Sequence, residues 1–320
     1  MAKFGFETSG FEVVEAFRSY ADGRTFVITG AGAEGLGAET ALSIAKKANP
    51  NLMILIGRRE NVIEPVVAEI RKANPLVKVH IVAFDLASQA SVRAGAAEVA
   101  RIVDEEADGK LDVLINNAGV MVPPYTKTAD GLELQFGTNH IGHFLLTKLL
   151  IARIEKASGK IKSRIVNLSS GAHRFSPVRF DDLDFQDGKV YEPWIGYGQS
   201  KAANVLFTLQ LAKLLQPKGV LCFAVHPGSI KSPLQRHMEP GRVEELIKLA
   251  KPTGAMVYKN LQQGCATTLT AALSPEIEDA TGSYCEDCQP SKAAPTATSE
   301  EDAERLWTLS EKIIGENFEV

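Results

Sequence analysis

The stretch "TFVITGAGAEGLG", Thr25–Gly37, decides the fold. Its first six residues form a short apolar run of the kind that becomes a strand buried on both faces. Gly30, Gly32 and Gly35 then match G-x-G-x-x-G, and a helical pattern opens at Leu36. Glycine allows a tight turn and close approach of a pyrophosphate, whose charge meets free N–H groups at the helix N-terminus. Taken alone, such a turn also suits a methyltransferase or a plain structural turn.

Outward from this turn the same rhythm repeats. The runs "NLMILIG", "VKVHIVAFD", "LDVLINNAG", "RIVNLSS" and "GVLCFAVHPG" read as further buried strands. Helical patterns over 36–48, 61–73, 89–107, 131–158 and 198–216 alternate with them. Alternation of this kind predicts an α/β fold, a doubly wound parallel sheet of Rossmann type with right-handed crossovers. No repeat, low-complexity tract or long linker divides the chain, so residues 1–320 are expected to form one domain. Insertions are expected at about 172–196 and 229–252, the second containing the helix-like "GRVEELIKLAK". From Ser299, a helix N-cap, the tail reads as a final helix. Ligands of such sheets bind beyond the carboxyl ends of the strands, which here carry Arg58, Asp85, "NNAG" at 116–119, "SS" at 169–170 and "HPG" at 226–228.

Composition bounds the function. With 320 residues, of which 45% are hydrophobic, the chain can bury a large core. Lys and Arg total 35 against 39 Asp and Glu, and no long basic run appears, which argues against a nucleic-acid partner. The N-terminal residues lack a charged segment followed by an apolar run, so a cytoplasmic protein without a membrane anchor is expected. Cys222 and Cys265 lie in apolar segments. Cys285 and Cys288 form "CEDC", but no second Cys or His pair accompanies them, so no metal site is expected.

A last stretch, "YGQSK", carries chemistry. On a helix Tyr197 and Lys201 share one face, and an ammonium beside a phenol is expected to lower the phenol pKa toward the range of a working proton donor. An amphipathic pair on a solvated face has the same spacing.

Taken together, "NNAG", "NHIGHFLLT", "RIVNLSSGAH", "YGQSKAANVLF", "VHPG" and the tail from "YCEDCQPSKAAP" to "AERLWTLSEK" resemble the short-chain dehydrogenase/reductases, most closely their retinol dehydrogenase-like branch. The resemblance runs from about Gly23 to Ile314. It implies a catalytic tetrad of Asn139, Ser170, Tyr197 and Lys201, with Ser169 the alternative if the strand end is shifted by one. Tyr197 would give the proton, Ser170 would bond the carbonyl oxygen, Lys201 would hold the nicotinamide ribose, and Asn139 would anchor a water leading to solvent. Cofactor contacts are implied at Gly30, Gly32, Gly35, Leu36, Arg58, Asp85, Leu86, Asn117, Ala118 and Gly119, at Tyr197 and Lys201, and at Pro227, Gly228, Ile230 and Ser232. The family's T-G-x-x-x-G-x-G loop is longer here by one residue, which predicts a bulge.

The implied activity is interconversion of an apolar ketone or aldehyde and its alcohol, with a small molecule as partner and a homodimer as a possible state. A dinucleotide-binding regulator without turnover is the alternative. Arg58 and Arg59 after Gly57 offer positive charge where a 2′-phosphate would sit, so NADP(H) is expected over NAD(H); Glu34, read as facing solvent, is the opposing charge. Phe175, Phe180, Phe185, Tyr191 and Trp194 either line a substrate pocket or pin their loop, and 229–252 is expected to close over the cofactor.

Overall fold

All six apolar runs form strands: β1 (Thr25–Thr29), β2 (Leu52–Gly57), β3 (Lys78–Ala83), β4 (Val113–Asn116), β5 (Ser163–Leu168) and β6 (Val220–His226). In the computed structural model, which describes residues 4–239, 241–250 and 257–320, they pair in parallel in the order β6-β5-β4-β1-β2-β3. Parallel pairing places every strand's carboxyl end at one edge. There the order reverses between β1 and β4, and a crevice is expected. Beyond β6 the sheet gains β9 (Tyr284–Glu286), parallel, and β10 (Gln289–Ser291), antiparallel, while β7 (Ser229–Ile230) and β8 (Tyr258–Lys259) form a separate pair. The sequence reading had none of these four. They are two or three residues long, too short for a periodic signal.

Side chains alternate across the sheet and feed two cores. Val27 and Leu114 face a layer of α4 (Gln89–Glu106), α6 (Gly142–Ala157), α7 (Pro193–Leu215) and α10 (Glu300–Ile314). Phe26, Ile28 and Ile115 face α1 (Gly10–Ala16), α2 (Leu36–Lys47), α3 (Glu64–Ala73) and α9 (Leu261–Leu273). Neither α1 nor α9 was expected from the sequence. α10 starts as expected, with Ser299 Oγ accepting from the Asp302 N–H at 3.1 Å. The helix expected over 131–158 begins instead at α5 (Leu134–Phe136) and passes through a π turn at Gly137–Ile141 before α6. α7 starts five residues before the expected Gly198, because Pro193 fits a first helical turn without losing a hydrogen bond. Trp194 therefore sits on the helix that carries Tyr197, and the irregular insertion is shorter than 172–196.

The helix-like run after Gly241 forms α8 (Arg242–Ala250), and the remainder of the expected insertion at 240, 251 and 252 lies outside the described residues. Among the described residues no helix is long and apolar enough to cross a membrane.

Candidate active site

At the end of β1 the chain turns at Gly30 with φ 71°, and a methyl group there would lie 2.8 Å from the Ala118 Cα. Only glycine lets the turn after β4 come this close. Thr29 binds the two turns together: its Oγ1 accepts from the N–H groups of Asn117 and Ala118, both at 2.9 Å, while Asn117 Nδ2 donates to Thr29 O at 2.7 Å. The extra loop residue is accommodated by Glu34 in the left-handed region at φ 63°, exposed, with Ala33 N–H bonded to Val62 O at 2.8 Å. The bulge thus turns outward, as the solvent-facing reading of Glu34 requires.

Gly35 caps α2 without a side-chain hydrogen bond, so the first-turn N–H groups keep the positive end of the helix available. Neither Gly32 nor Gly35 places a side chain of its own over that end, an arrangement that fits a pyrophosphate. Leu36 and Ile230 meet over Gly264, where a methyl would come within 2.8 and 2.5 Å of them, so the segment after β6 reaches the phosphate loop. Arg58 is exposed at the end of β2. Asp85 follows β3 and accepts from the Ala87 N–H at 2.9 Å, beside buried Leu86. Pro227 and Gly228 extend β6, and Ser232 caps the short helix Pro233–His237 that follows.

Tyr197 and Lys201 lie one turn apart on α7, with Lys201 Nζ 5.6 Å from the phenol ring centre. Both are buried, because α7 is enclosed on nearly all sides. Lys201 Nζ donates to the last carbonyl of β5, Leu168 O, at 2.8 Å. Asn139 sits in the π turn, where its Oδ1 accepts from Val120 N–H at 2.8 Å and its Nδ2 donates to Val120 O and Ser200 Oγ, each at 3.0 Å. A methyl on Gly119 would lie 3.2 Å from Asn139 Oδ1 and 3.7 Å from Lys201 Nζ. Both polar groups therefore border one point, which glycine leaves open.

The two candidate serines separate cleanly. Ser169 Oγ is buried and donates to Lys201 O at 2.8 Å, which occupies it structurally. Ser170 Oγ accepts from Ala172 N–H at 3.2 Å and lies near enough to the Tyr197 hydroxyl to lower its pKa. The expectation that Lys201 lowers the phenol pKa fails. Burial pushes Tyr197 up to about 12, only partly offset by Ser170, and lowers Lys201 to about 7. Desolvation disfavours both charges, and at this depth it outweighs their attraction.

One linking residue was not anticipated. His143, fully buried, bonds Thr29 Oγ1 through Nε2 at 2.9 Å and Asn139 O through Nδ1 at 3.0 Å. A carbonyl only accepts, so Nδ1 carries the proton and Thr29 donates to Nε2. Floor and tetrad are thereby joined. The i, i+4 spacing of Asn139 and His143 was a usable signal.

The aromatic residues fall into two groups. Trp194 and half-buried Phe175 join Met121, Val122, Ala172 and Tyr197 in an apolar cluster, against which Leu234, Met238 and Leu246 also pack. Trp194 Nε1 donates to Arg242 O at 2.9 Å, bringing α8 to its edge. Phe185 instead packs edge-on against Tyr191 and beneath Arg179, and Phe180 lies under Arg305. These three pin the loop.

A phenol, a lysine, an asparagine and a serine thus converge where a dinucleotide loop meets an apolar wall. Residues 24–181 match the family model described as short chain dehydrogenase. The chain is 40% identical over 298 residues to retinol dehydrogenase 12 of Mus musculus, covering 93% of this chain and 88% of that protein. It belongs to the short-chain dehydrogenases. Within that family it falls in the retinol dehydrogenase-like branch: retinol dehydrogenase 13 of Homo sapiens is 38% identical over 293 residues, with 92% and 85% covered. A solved structure of an uncharacterized protein from Mycobacterium Paratuberculosis matches with TM-score 0.68 at 32% identity, over 93% of this chain and 95% of that one. This dehydrogenase is accordingly an oxidoreductase that acts on CH–OH groups with NAD(P).

The "CEDC" motif of the dehydrogenase is a turn. Cys285 and Cys288 are buried, and burial raises both thiols, Cys285 to about 12, which disfavours the thiolate that zinc requires. Its acids carry the contacts: Asp287 accepts from Lys259 Nζ at 2.6 Å, and Glu286 accepts from Tyr284 OH at 3.1 Å and from Ser291 Oγ at 2.8 Å. Cys285→Ser with Cys288→Ser is expected to keep activity, and elemental analysis of the unmutated protein to find no stoichiometric zinc. One zinc per chain would show this reading to be wrong.

Proposed function

We propose that the protein is an NADP(H)-dependent oxidoreductase that interconverts an apolar ketone or aldehyde and its alcohol, with Tyr197 as general acid and base. The observation that carries this is the buried Tyr197 packed against Trp194, with Lys201 Nζ 5.6 Å from its ring and Ser170 beside its hydroxyl. When bound, the reduced nicotinamide supplies a hydride to the carbonyl carbon. Oxygen then gains charge and needs donors already in place. Ser170 donates a hydrogen bond to that oxygen, and Tyr197, protonated throughout the neutral range, gives it the proton. Lys201 would hold the cofactor ribose and, with Asn139, would border the route by which the phenol regains a proton. Asn117, Ala118 and Gly119 would hold the ribose, and Gly228 with the segment through Ile230 and Ser232 would hold the carboxamide.

The substrate face is apolar, formed by Met121, Val122 and Trp194, which suits a hydrophobic carbonyl compound. Several relatives are named retinol dehydrogenases, so retinal belongs in the test set beside aromatic and aliphatic ketones. Loss of reduced-nicotinamide absorbance with at least one of these carbonyls is expected. Silence across a broad panel, with the cofactor nevertheless bound, would favour a dinucleotide-binding regulator.

A further inference from the structure

Behind the apolar wall lies a buried polar junction that the proposed chemistry does not use. Gln135, 0% exposed, accepts the Val122 N–H on Oε1 at 2.9 Å. Its Nε2 donates to the Tyr191 hydroxyl at 2.8 Å and to Pro193 O at 2.9 Å. One amide therefore ties together the wall residue Val122, the end of the insertion at Tyr191 and the first turn of the helix carrying Tyr197. The Tyr191 hydroxyl also lies 3.2 Å from Glu133 Oε1 and 3.3 Å from Pro123 O. Glu133 is itself 2% exposed and fixed by the N–H groups of Gln135 and Phe136 at 2.9 and 2.7 Å.

The geometry around this junction is tight. A methyl on Gly196 would lie 2.9 Å from Tyr191 Cε2 and 3.0 Å from Gln135 Nε2, so the junction abuts the residue preceding Tyr197. Val122 is held at φ 47°, a left-handed conformation that a β-branched residue adopts only when its surroundings enforce it. Trp194, two residues before Gly196, takes its place in the wall from the same turn. Buried polar groups of this kind fix a single arrangement when all are satisfied.

We propose that Gln135 and Tyr191 are positioning residues that set the spacing between the Tyr197 hydroxyl and the Val122–Trp194 wall, and so select substrates by bulk. The inference rests on the functional reading above in taking that wall as the substrate face. Removing the joint lets the wall shift out of register with a bulky substrate and lose its packing against it, while the groups that bear on the cofactor stay in place.

The test uses Tyr191→Phe, which deletes one hydroxyl and keeps the ring, with Gln135→Leu as the stronger variant if it folds. With NADPH and ketones of graded size, Tyr191→Phe is expected to raise KM for a bulky aromatic ketone about five-fold, the scale of one hydrogen bond, with the KM for NADPH unchanged. Trp194 and Trp307 are the two tryptophans, so a Trp307→Phe background isolates Trp194 as an emission probe. Acrylamide quenching of Trp194 is expected to rise when Tyr191→Phe is added. With an active wild-type protein, an unchanged KM for the bulky ketone overturns the inference. A wild-type protein inactive on every carbonyl overturns the functional reading instead, and quenching then decides the inference: a rise upholds it and an unchanged value overturns it.

Discussion

Tyr197→Phe is expected to bind cofactor as the unmutated protein does and to lose at least ~100-fold in ketone turnover, the usual scale for a missing general acid. The substitution is close to a pure deletion of the hydroxyl. The ring keeps its edge-on contact with Trp194 at 6.1 Å and its place in the apolar cluster. Lys201 keeps its bond to Leu168 O, and Ser170 keeps that from Ala172 N–H, so neither the helix nor the strand end has cause to move. On the proposed mechanism, what disappears is the hydroxyl that gives the reacting oxygen its proton. Cofactor affinity followed by its fluorescence, together with steady-state turnover, separates the two effects. Near wild-type turnover by the Phe variant would sink the mechanism.

Arg58→Asp is expected to reverse the preference from NADPH to NADH, changing the ratio of their kcat/KM values on the order of 10–100-fold, as for the loss of hydrogen bonds to a charged group. Arg58 is exposed directly after β2, the strand end at which the proposed reading puts the ribose 2′ substituent of a bound dinucleotide. A guanidinium meets a phosphate there with paired hydrogen bonds, whereas a carboxylate repels it and accepts from a free 2′-hydroxyl. Glu34 is the competing charge, but the outward bulge at φ 63° leaves it exposed on the loop. Measuring both cofactors with one ketone is decisive. An equal or better value with NADH in the unmutated protein would mean that Glu34 governs the site.

What could be read from the residues alone follows from what periodicity records. Strands buried on both faces announce themselves as apolar runs, as β1, β2, β4, β5 and β6 do, and the half-exposed edge strand β3 was legible from Val79, Ile81 and Val82. The i, i+4 spacing placed Tyr197 and Lys201 on one face, but no spacing reports burial depth, and burial raised the phenol where the nearby ammonium predicted lowering. Ser169 and Ser170 could not be parted in the sequence because the choice depends on which hydroxyl the Lys201 carbonyl takes. Pro193 was a readable start for α7, hidden by the aromatic, acidic run before it. Gln135 left the weakest trace, since it acts by joining segments far apart in the chain.

Hydride transfer to a carbonyl carbon is the reaction proposed for this site. It is tested most directly by reducing an accepted ketone with NADPH carrying deuterium at the transferable position of the nicotinamide and analysing the alcohol by mass spectrometry. One deuterium on the carbinol carbon is expected for each cofactor oxidised. Unlabelled alcohol, or cofactor oxidation without alcohol, would contradict it.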